Sequence, residues 1–262
     1  MTRIDKVMAA RKAAGKKAIF IYITAGAPDI PTTIEAVKRA EAAGADVIEL
    51  GLPFSDPMAD GPVIQTASVV ALKNGMTLAK ELDLIREIRK FSDIPLIGMG
   101  YINNMYHYGF EKFVEDFKAA GMDGVIIPDV PHEESGDLRR IAAAHDFVLA
   151  EFITPGTTAV RMEEICQDAS GFIYCVSNNG VTGVKKVDYS TIGAVCDTAR
   201  SYTRTPLAVG FGIGSSEAAV AAAAHADAVI VGSAVVKELL AGKLDEAAQL
   251  IADIREALDK SY

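Results

Sequence analysis

Two carboxylates stand close together where strands rarely carry any. Glu49 lies inside an apolar run, and Asp60 follows beyond a proline- and glycine-punctuated loop, in VIELGLPFSDPMADGPVIQ at 47–65. Burying an unpaired charge among Val, Ile and Leu costs roughly several kcal/mol even after relaxation, so such a residue calls for an explanation. Burial would raise the Glu49 pKa towards neutrality and let the side chain both give and take a proton. A strand-end glutamate paired with a neighbouring lysine is the plain structural alternative. Asp60, in Ala59-Asp60-Gly61-Pro62, reads also as the N-cap of a following helix with proline in its first turn. The two roles are compatible, and two acids at one strand-to-loop junction suggest general acid/base work.

Glycine marks a second kind of chemistry. SNNGVTG (177–183), GFGIGSS (210–216) and GSA (232–234) each follow an apolar run, and the last two lead into helical patterns. Backbone N–H groups of such turns, backed by a helix N-terminus, bind phosphate without a lysine. Each piece alone is also an ordinary turn; together they point to a phosphate site. The polar stretch 177–186, with Gly180 and Gly183 as hinges, has the character of a lid. Tyr22, Met99, Ile126, Ile153, Tyr174 and Phe211 stand at or near the ends of apolar runs. As a group they suggest a pocket for a ligand with an aromatic end and a phosphate end, although core packing accounts for any one of them.

Eight short runs must position these residues: 19–23, 46–50, 96–100, 124–128, 147–153, 172–177, 206–210 and 228–232. They are continuous rather than alternating, as parallel strands buried on both faces are. Amphipathic patterns separate them, with Leu78, Leu82 and Ile85 on one face and Leu244, Ala248, Ile251, Ile254 and Leu258 on another. Alternating elements with eight strands predict a (β/α)8 barrel, an α/β fold, rather than an open doubly wound sheet. Residues 2–14 read as an extra N-terminal amphipathic helix with Ile4, Val7 and Met8 inward. About forty-five residues separate the second run from the third, where about thirty make a standard βα unit. The surplus predicts an enlarged loop at 52–60 and a helix from Pro62 to Lys73 ahead of one at 77–90. AGADVIEL (43–50), AGMDGVIIP (120–128) and AHADAVIVG (224–232) echo one another, with Gly44 and Gly121 placed as left-handed helix ends. No linker or low-complexity segment interrupts the chain, so residues 1–262 are expected to form one domain.

The 262 residues are 50% hydrophobic and 23% charged, with a net charge of −9, which supplies a large core and disfavours nucleic-acid or anionic-membrane binding. Cys166, Cys175 and Cys196 form no CxxC and leave one over, which fits packed, reduced thiols in the cytoplasm. His107, His132, His145 and His225 show no ligand-like pairing, so no metal is expected. The basic first seventeen residues faintly mimic a transit peptide, but a core-like strand follows at once. The apolar stretch 218–236 holds His225 and Asp227 and is broken by Gly232-Ser233, so it is not a membrane span.

The stretch 47–65 is similar to the signature of the tryptophan synthase α subunit family. Further matches are YITAGAP (22–28), GYINNMYHYGFEKF (100–113), GMDGVIIPDVPHEES (121–135), TPGTT (154–158), FIYCVSNNGVTG (172–183) and VGFGIGS (209–215). The resemblance spans essentially the whole chain. It implies a lyase that cleaves indole-3-glycerol phosphate to indole and glyceraldehyde 3-phosphate, with indole passing to a β subunit in an α2β2 heterotetramer. Pyridoxal phosphate is then expected on the β subunit, and no cofactor in this chain. By the same resemblance Glu49 and Asp60 are the catalytic pair, and Gly183, Gly212, Gly232 and Ser233 fall at the phosphate site. Phe211, Tyr174 and Thr182 match positions around the indole and the lid, and Asp56 matches a position that communicates with the β subunit. Ala27, Tyr22 and Asn178-Asn179 depart from the usual family pattern.

The alternatives are a free-standing indole-3-glycerol-phosphate lyase, a non-catalytic activator of a β subunit, and another phosphate-sugar barrel enzyme. The last would show a base on other strands, often with a metal or lysine, and the intact acids and glycines argue against the activator.

Overall fold

The computed structural model of the protein describes residues 1–176 and 189–262. Eight strands, β1 (Ala18–Thr24), β2 (Val47–Gly51), β3 (Leu96–Met99), β4 (Gly124–Ile126), β5 (Val148–Ile153), β6 (Ile173–Val176), β7 (Leu207–Gly210) and β8 (Ala228–Val231), pair in parallel and in sequence order into a closed barrel. All eight expected runs are strands. Closure leaves no sheet edge, and both faces of every strand are covered, which is why the runs lack alternation.

The helices are α1 (Arg3–Ala13), α2 (Ile30–Ala42), α3 (Pro62–Lys73), α4 (Leu78–Arg89), α5 (Ile102–Tyr108) and α6 (Phe110–Ala120) in the first half. They continue as α7 (Gly136–Ala144), α8 (Ala159–Asp168), α9 (Ser190–Tyr202), α10 (Ser216–Ala223), α11 (Ser233–Leu240) and α12 (Leu244–Ser261). The surplus after β2 is loop 52–61 plus α3, as its length predicted. Gly44 and Gly121 have φ of +101° and +112°, the left-handed geometry expected where α2 and α6 end.

Two cores follow from the period of two along each strand. The outer one fills the space between sheet and helices. The inner one fills the barrel with Phe20, Val47, Ile97, Ile126, Phe172 and Ile230 among others. Phe20 and Phe172 meet edge to face inside it, centroids 4.9 Å apart. Helix α1 plugs the end at which the strands begin: Ile4 and Met8 join the inner core, and Val7 is half-buried. A capping box starts it, with the Thr2 hydroxyl accepting from Asp5 N–H at 3.2 Å and Asp5 accepting from Thr2 N–H at 2.8 Å.

The echoed segments turn out to be one device used three times at this end. Asp46, Asp123 and Asp227, just ahead of β2, β4 and β8, accept the backbone N–H of Ile19, Leu96 and Leu207 at 2.8, 3.0 and 2.8 Å. Each aspartate N–H in turn donates to the carbonyl of that same residue. An arginine from a surrounding helix pairs with each carboxylate: Arg255 of α12, Arg89 of α4 and Arg200 of α9. Carboxylate, strand and guanidinium thus lock neighbouring strands where they enter the barrel, the face that serves stability rather than chemistry in this architecture.

Candidate active site

Chemistry in such barrels belongs at the opposite face, where the strands end. Glu49 shares the inward face of β2 with Val47 and is only 1% exposed. Among the described residues it has no lysine partner. Its Oε2 makes no hydrogen bond among the described residues. Burial, and secondarily the charge of Asp60, pushes its pKa up to about 8. At neutral pH the side chain is therefore a carboxylic acid, able to donate.

Asp60 is not the N-cap. That place belongs to Gly61, which leads into Pro62 at the start of α3, and no side chain caps the helix. The Asp60 carbonyl accepts from the Gln65 side chain at 2.9 Å, which leaves the carboxylate for other work. Burial raises its pKa to about 6, and a hydrogen bond from the Tyr101 hydroxyl holds it back. Two carboxylates in one mouth are thereby split, Glu49 protonated and Asp60 largely ionised near neutrality.

Tyr101, just beyond β3, positions the loop that carries Asp60. Its hydroxyl accepts the Ala59 N–H at 3.0 Å, and its ring stacks on Phe54 with centroids 5.2 Å apart. Leu52 N–H donates to the Met99 carbonyl at 2.7 Å, extending the β2–β3 pairing into the loop. Asp56 lies in the exposed part of the same loop, accepting from the Ser55 hydroxyl at 2.6 Å.

The described pocket candidates divide between the acid pair and the two cores. Tyr22 is buried in the mouth, and the charges of both Asp60 and Glu49 raise its pKa after burial itself. Tyr174 feels the same two carboxylates, and Phe211 meets it edge to face at 6.3 Å. Ile126 is in the inner core and Met99 borders both cores. Ile153 is the correction: it is buried in the outer core. The interior position on β5 is Phe152, alongside Val148 and Ala150, with its ring 5.3 Å from that of Tyr174. The period of two makes adjacent residues face opposite ways, and counting from Val148 finds Phe152.

Two glycines make room for the tyrosines. A Cβ on Gly51 would lie 2.0 Å from the Tyr22 hydroxyl oxygen, and one on Gly210 would lie 2.3 Å from that of Tyr174. Residue type alone points to neither glycine for this, nor to Tyr101, whose only signal is its place just after a strand.

The phosphate candidates lie at the ends of β7 and β8. Gly212 turns the chain with φ +77°. Gly232 and Ser233 open α11, whose N-terminus no side chain caps. A Cβ on Gly214 would come within 3.5 Å of the Ala234 Cβ, so the loop after β7 lies against the start of α11. Gly183 and Thr182 lie outside the described residues. Among the described residues no group of three His, Cys, Asp or Glu side chains is placed to hold a metal ion.

Comparison with known proteins accords with this geometry. The family model for the tryptophan synthase alpha chain matches residues 8–261. The tryptophan synthase alpha chain of Caldanaerobacter subterraneus is 41% identical over 98% of this chain and 100% of its own length. That of Clostridium kluyveri is 39% identical over 99% and 100%. The crystal structure of tryptophan synthase subunit alpha from Legionella pneumophila superposes with a TM-score of 0.91 at 36% identity, covering 99% of each chain. A chain in a structure of Mycobacterium tuberculosis tryptophan synthase gives 0.91 at 29% identity, covering 98% of each. With a buried acid pair at the mouth of a closed eightfold barrel and these relatives over its whole length, the chain belongs to the tryptophan synthase alpha chain family.

Proposed function

We propose that Glu49 and Asp60 carry out the family's lyase reaction, the aldol-type cleavage of indole-3-glycerol phosphate to indole and glyceraldehyde 3-phosphate. The observation that carries this assignment is the buried Glu49 in the barrel mouth, whose Oε2 has no hydrogen-bond partner among the described residues and whose pKa burial raises. Breaking the bond between ring carbon C3 and the glycerol chain requires a proton at C3, which leaves positive charge on the ring nitrogen. Glu49 donates that proton, and ionised Asp60 accepts a hydrogen bond from the ring N–H and stabilises the charge. The resulting Glu49 carboxylate takes the proton of the adjacent glycerol hydroxyl as the carbon–carbon bond breaks and the carbonyl of glyceraldehyde 3-phosphate forms. Glu49 ends protonated, ready for another turnover.

Tyr22, Met99, Ile126, Phe152, Tyr174 and Phe211 would hold the indole, with Thr182 at the lid. Gly183, Gly212, Gly232 and Ser233 would hold the phosphate on backbone N–H groups, favoured by the start of α11. The steps use protein carboxylates alone, with pyridoxal phosphate on the partner rather than in this chain. The partner is a β subunit, in an α2β2 assembly that receives indole. Met58, Tyr106 and Val160 support this: they are 80%, 81% and 72% exposed, and all lie in segments that follow strand ends, around the mouth, together with Asp56. Three buried, free cysteines fit a reducing cytoplasm, and among the described residues no helix is long and apolar enough to cross a membrane.

The test is indole release from indole-3-glycerol phosphate by the purified chain, alone and with a β subunit added. Slow release alone, with strong activation by the partner, is expected. Full activity alone would instead mark a free-standing lyase, and no activity in either case would remove the catalytic assignment.

A further inference from the structure

At the opposite end from Glu49, a cavity of about 180 Å³ opens beneath the starts of β1, β7 and β8, closed on one side by the end of α1. Five cations surround it, Arg11, Lys12, Lys16, Lys17 and Arg204, against one carboxylate, Asp227. This runs counter to a chain that carries a net charge of −9. Asp227 is already engaged by the Arg200 guanidinium and by Leu207 N–H. Arg11 is matched by Asp46 at 2.6 Å and Lys16 by Asp259 at 3.7 Å, while the Lys17 ammonium donates to the Ala226 carbonyl at 2.7 Å.

Lys12 and Arg204 are different: neither side chain has a hydrogen bond or ion pair among the described residues. They come from segments far apart in sequence, the last turn of α1 and the entry to β7, yet line one concave site. Burial lowers the Lys17 pKa, an effect that Asp227 opposes and Arg200 reinforces. The backbone has little left to offer, since Gly15 and Lys16 N–H groups are taken by the Lys12 and Arg11 carbonyls. Recognition would rest on side chains, a guanidinium fork from Arg204 and point charges from the lysines.

We propose that this cleft binds a small polyvalent anion of the phosphate class, gripped by Lys12 and Arg204 and supported by Lys16 and Lys17. It is separate from the substrate's phosphate cradle, which would lie at the other ends of β7 and β8, so either assignment stands if the other fails. The cavity's size favours a small molecule over a nucleic-acid or membrane surface, as does the overall acidity of the chain. An anion there would tie α1 to the entries of β7 and β8 and raise the stability of the fold by mass action.

The test uses the whole chain and inorganic phosphate, sulfate and pyrophosphate as probes, by calorimetric titration and thermal melting at matched ionic strength. Pyrophosphate should bind the unaltered chain and raise its Tm. A Lys12→Gln, Arg204→Gln double variant should weaken binding at least about tenfold, two charge-assisted contacts being lost. It should fold normally and release indole at the unaltered rate. A Lys90→Gln, Lys112→Gln pair, equal in charge but placed at the end of α4 and on α6, away from the cleft, should bind as the unaltered chain does. Absence of binding, equal affinity in the cleft variant, or equal weakening in the remote pair would overturn the proposal. So would Lys12- and Arg204-dependent binding to phosphatidylserine vesicles that pyrophosphate does not displace.

Discussion

At the scale of single residues, environment divides the labour between two chemically similar acids. Burial pushes the Glu49 pKa up to about 8, with no donor to its Oε2 among the described residues, whereas the Tyr101 hydroxyl holds that of Asp60 to about 6. In the proposed reaction, turnover needs Glu49 protonated and Asp60 ionised. The kcat/KM profile of the free chain is therefore expected to be bell-shaped, falling below about pH 6 as Asp60 gains a proton and above about pH 8 as Glu49 loses one. Tyr101→Phe removes the bond that holds the Asp60 pKa down, so the acid limb should move to higher pH while the alkaline limb stays. An unmoved acid limb would separate Tyr101 from the acid pair. Glu49 was legible in the sequence because a carboxylate inside an apolar run has few uses. Tyr101 was not, because its role is set by a loop folding back from β2, a contact that residue type does not encode. Ile153 differs for a simpler reason: place at the end of an apolar run does not tell which face a residue takes, and the inner face of β5 belongs to Phe152.

At the scale of elements, the same carboxylate chemistry serves stability at one end of the barrel and reactivity at the other. Asp123 is 1% exposed, accepts from Leu96 N–H, and pairs with Arg89 at 3.2 Å and Arg3 at 3.0 Å. Asp123→Ala leaves the largely buried Arg89 uncompensated and should cost about 3–5 kcal/mol of unfolding free energy. Denaturant titration measures this, and the rate per folded molecule should hardly change. Helix α4 carries another buried acid, Glu81, on the face it shares with Leu82 and Ile85. Burial raises its pKa to about 8, and its Oε2 has no hydrogen-bond partner among the described residues. The folded chain keeps this proton over a range where the unfolded chain has released it. Its stabilising effect is complete below the ordinary glutamate pKa and is lost as pH rises through about 8. Glu81→Gln should therefore flatten the fall in Tm between about pH 5 and 9; an unchanged pH dependence would mean that Glu81 is ionised in the folded chain. The strands and the amphipathic helices were readable from their periods, whereas the Asp–Arg locks showed only as an echo whose meaning required the closed barrel.

At the scale of the whole molecule, the barrel separates two faces. The strand ends and the segments that follow them hold the acids, the proposed aromatic pocket, the glycine turns and the exposed Met58, Tyr106 and Val160; the strand entries hold α1, the Asp–Arg locks and the cationic cleft. Closure pairs β8 with β1 and so sets Gly232, at the end of β8, against Tyr22 of β1, although these two are remote in sequence. The most direct test of the central claim is a single substitution, Glu49→Gln, which keeps size and hydrogen-bonding capacity but cannot exchange the proton. Indole release, with and without a β subunit, should fall by at least about a thousandfold, while equilibrium binding of indole-3-glycerol phosphate stays close to that of the unaltered chain. Release at the unaltered rate by the Glu49→Gln chain would contradict the account.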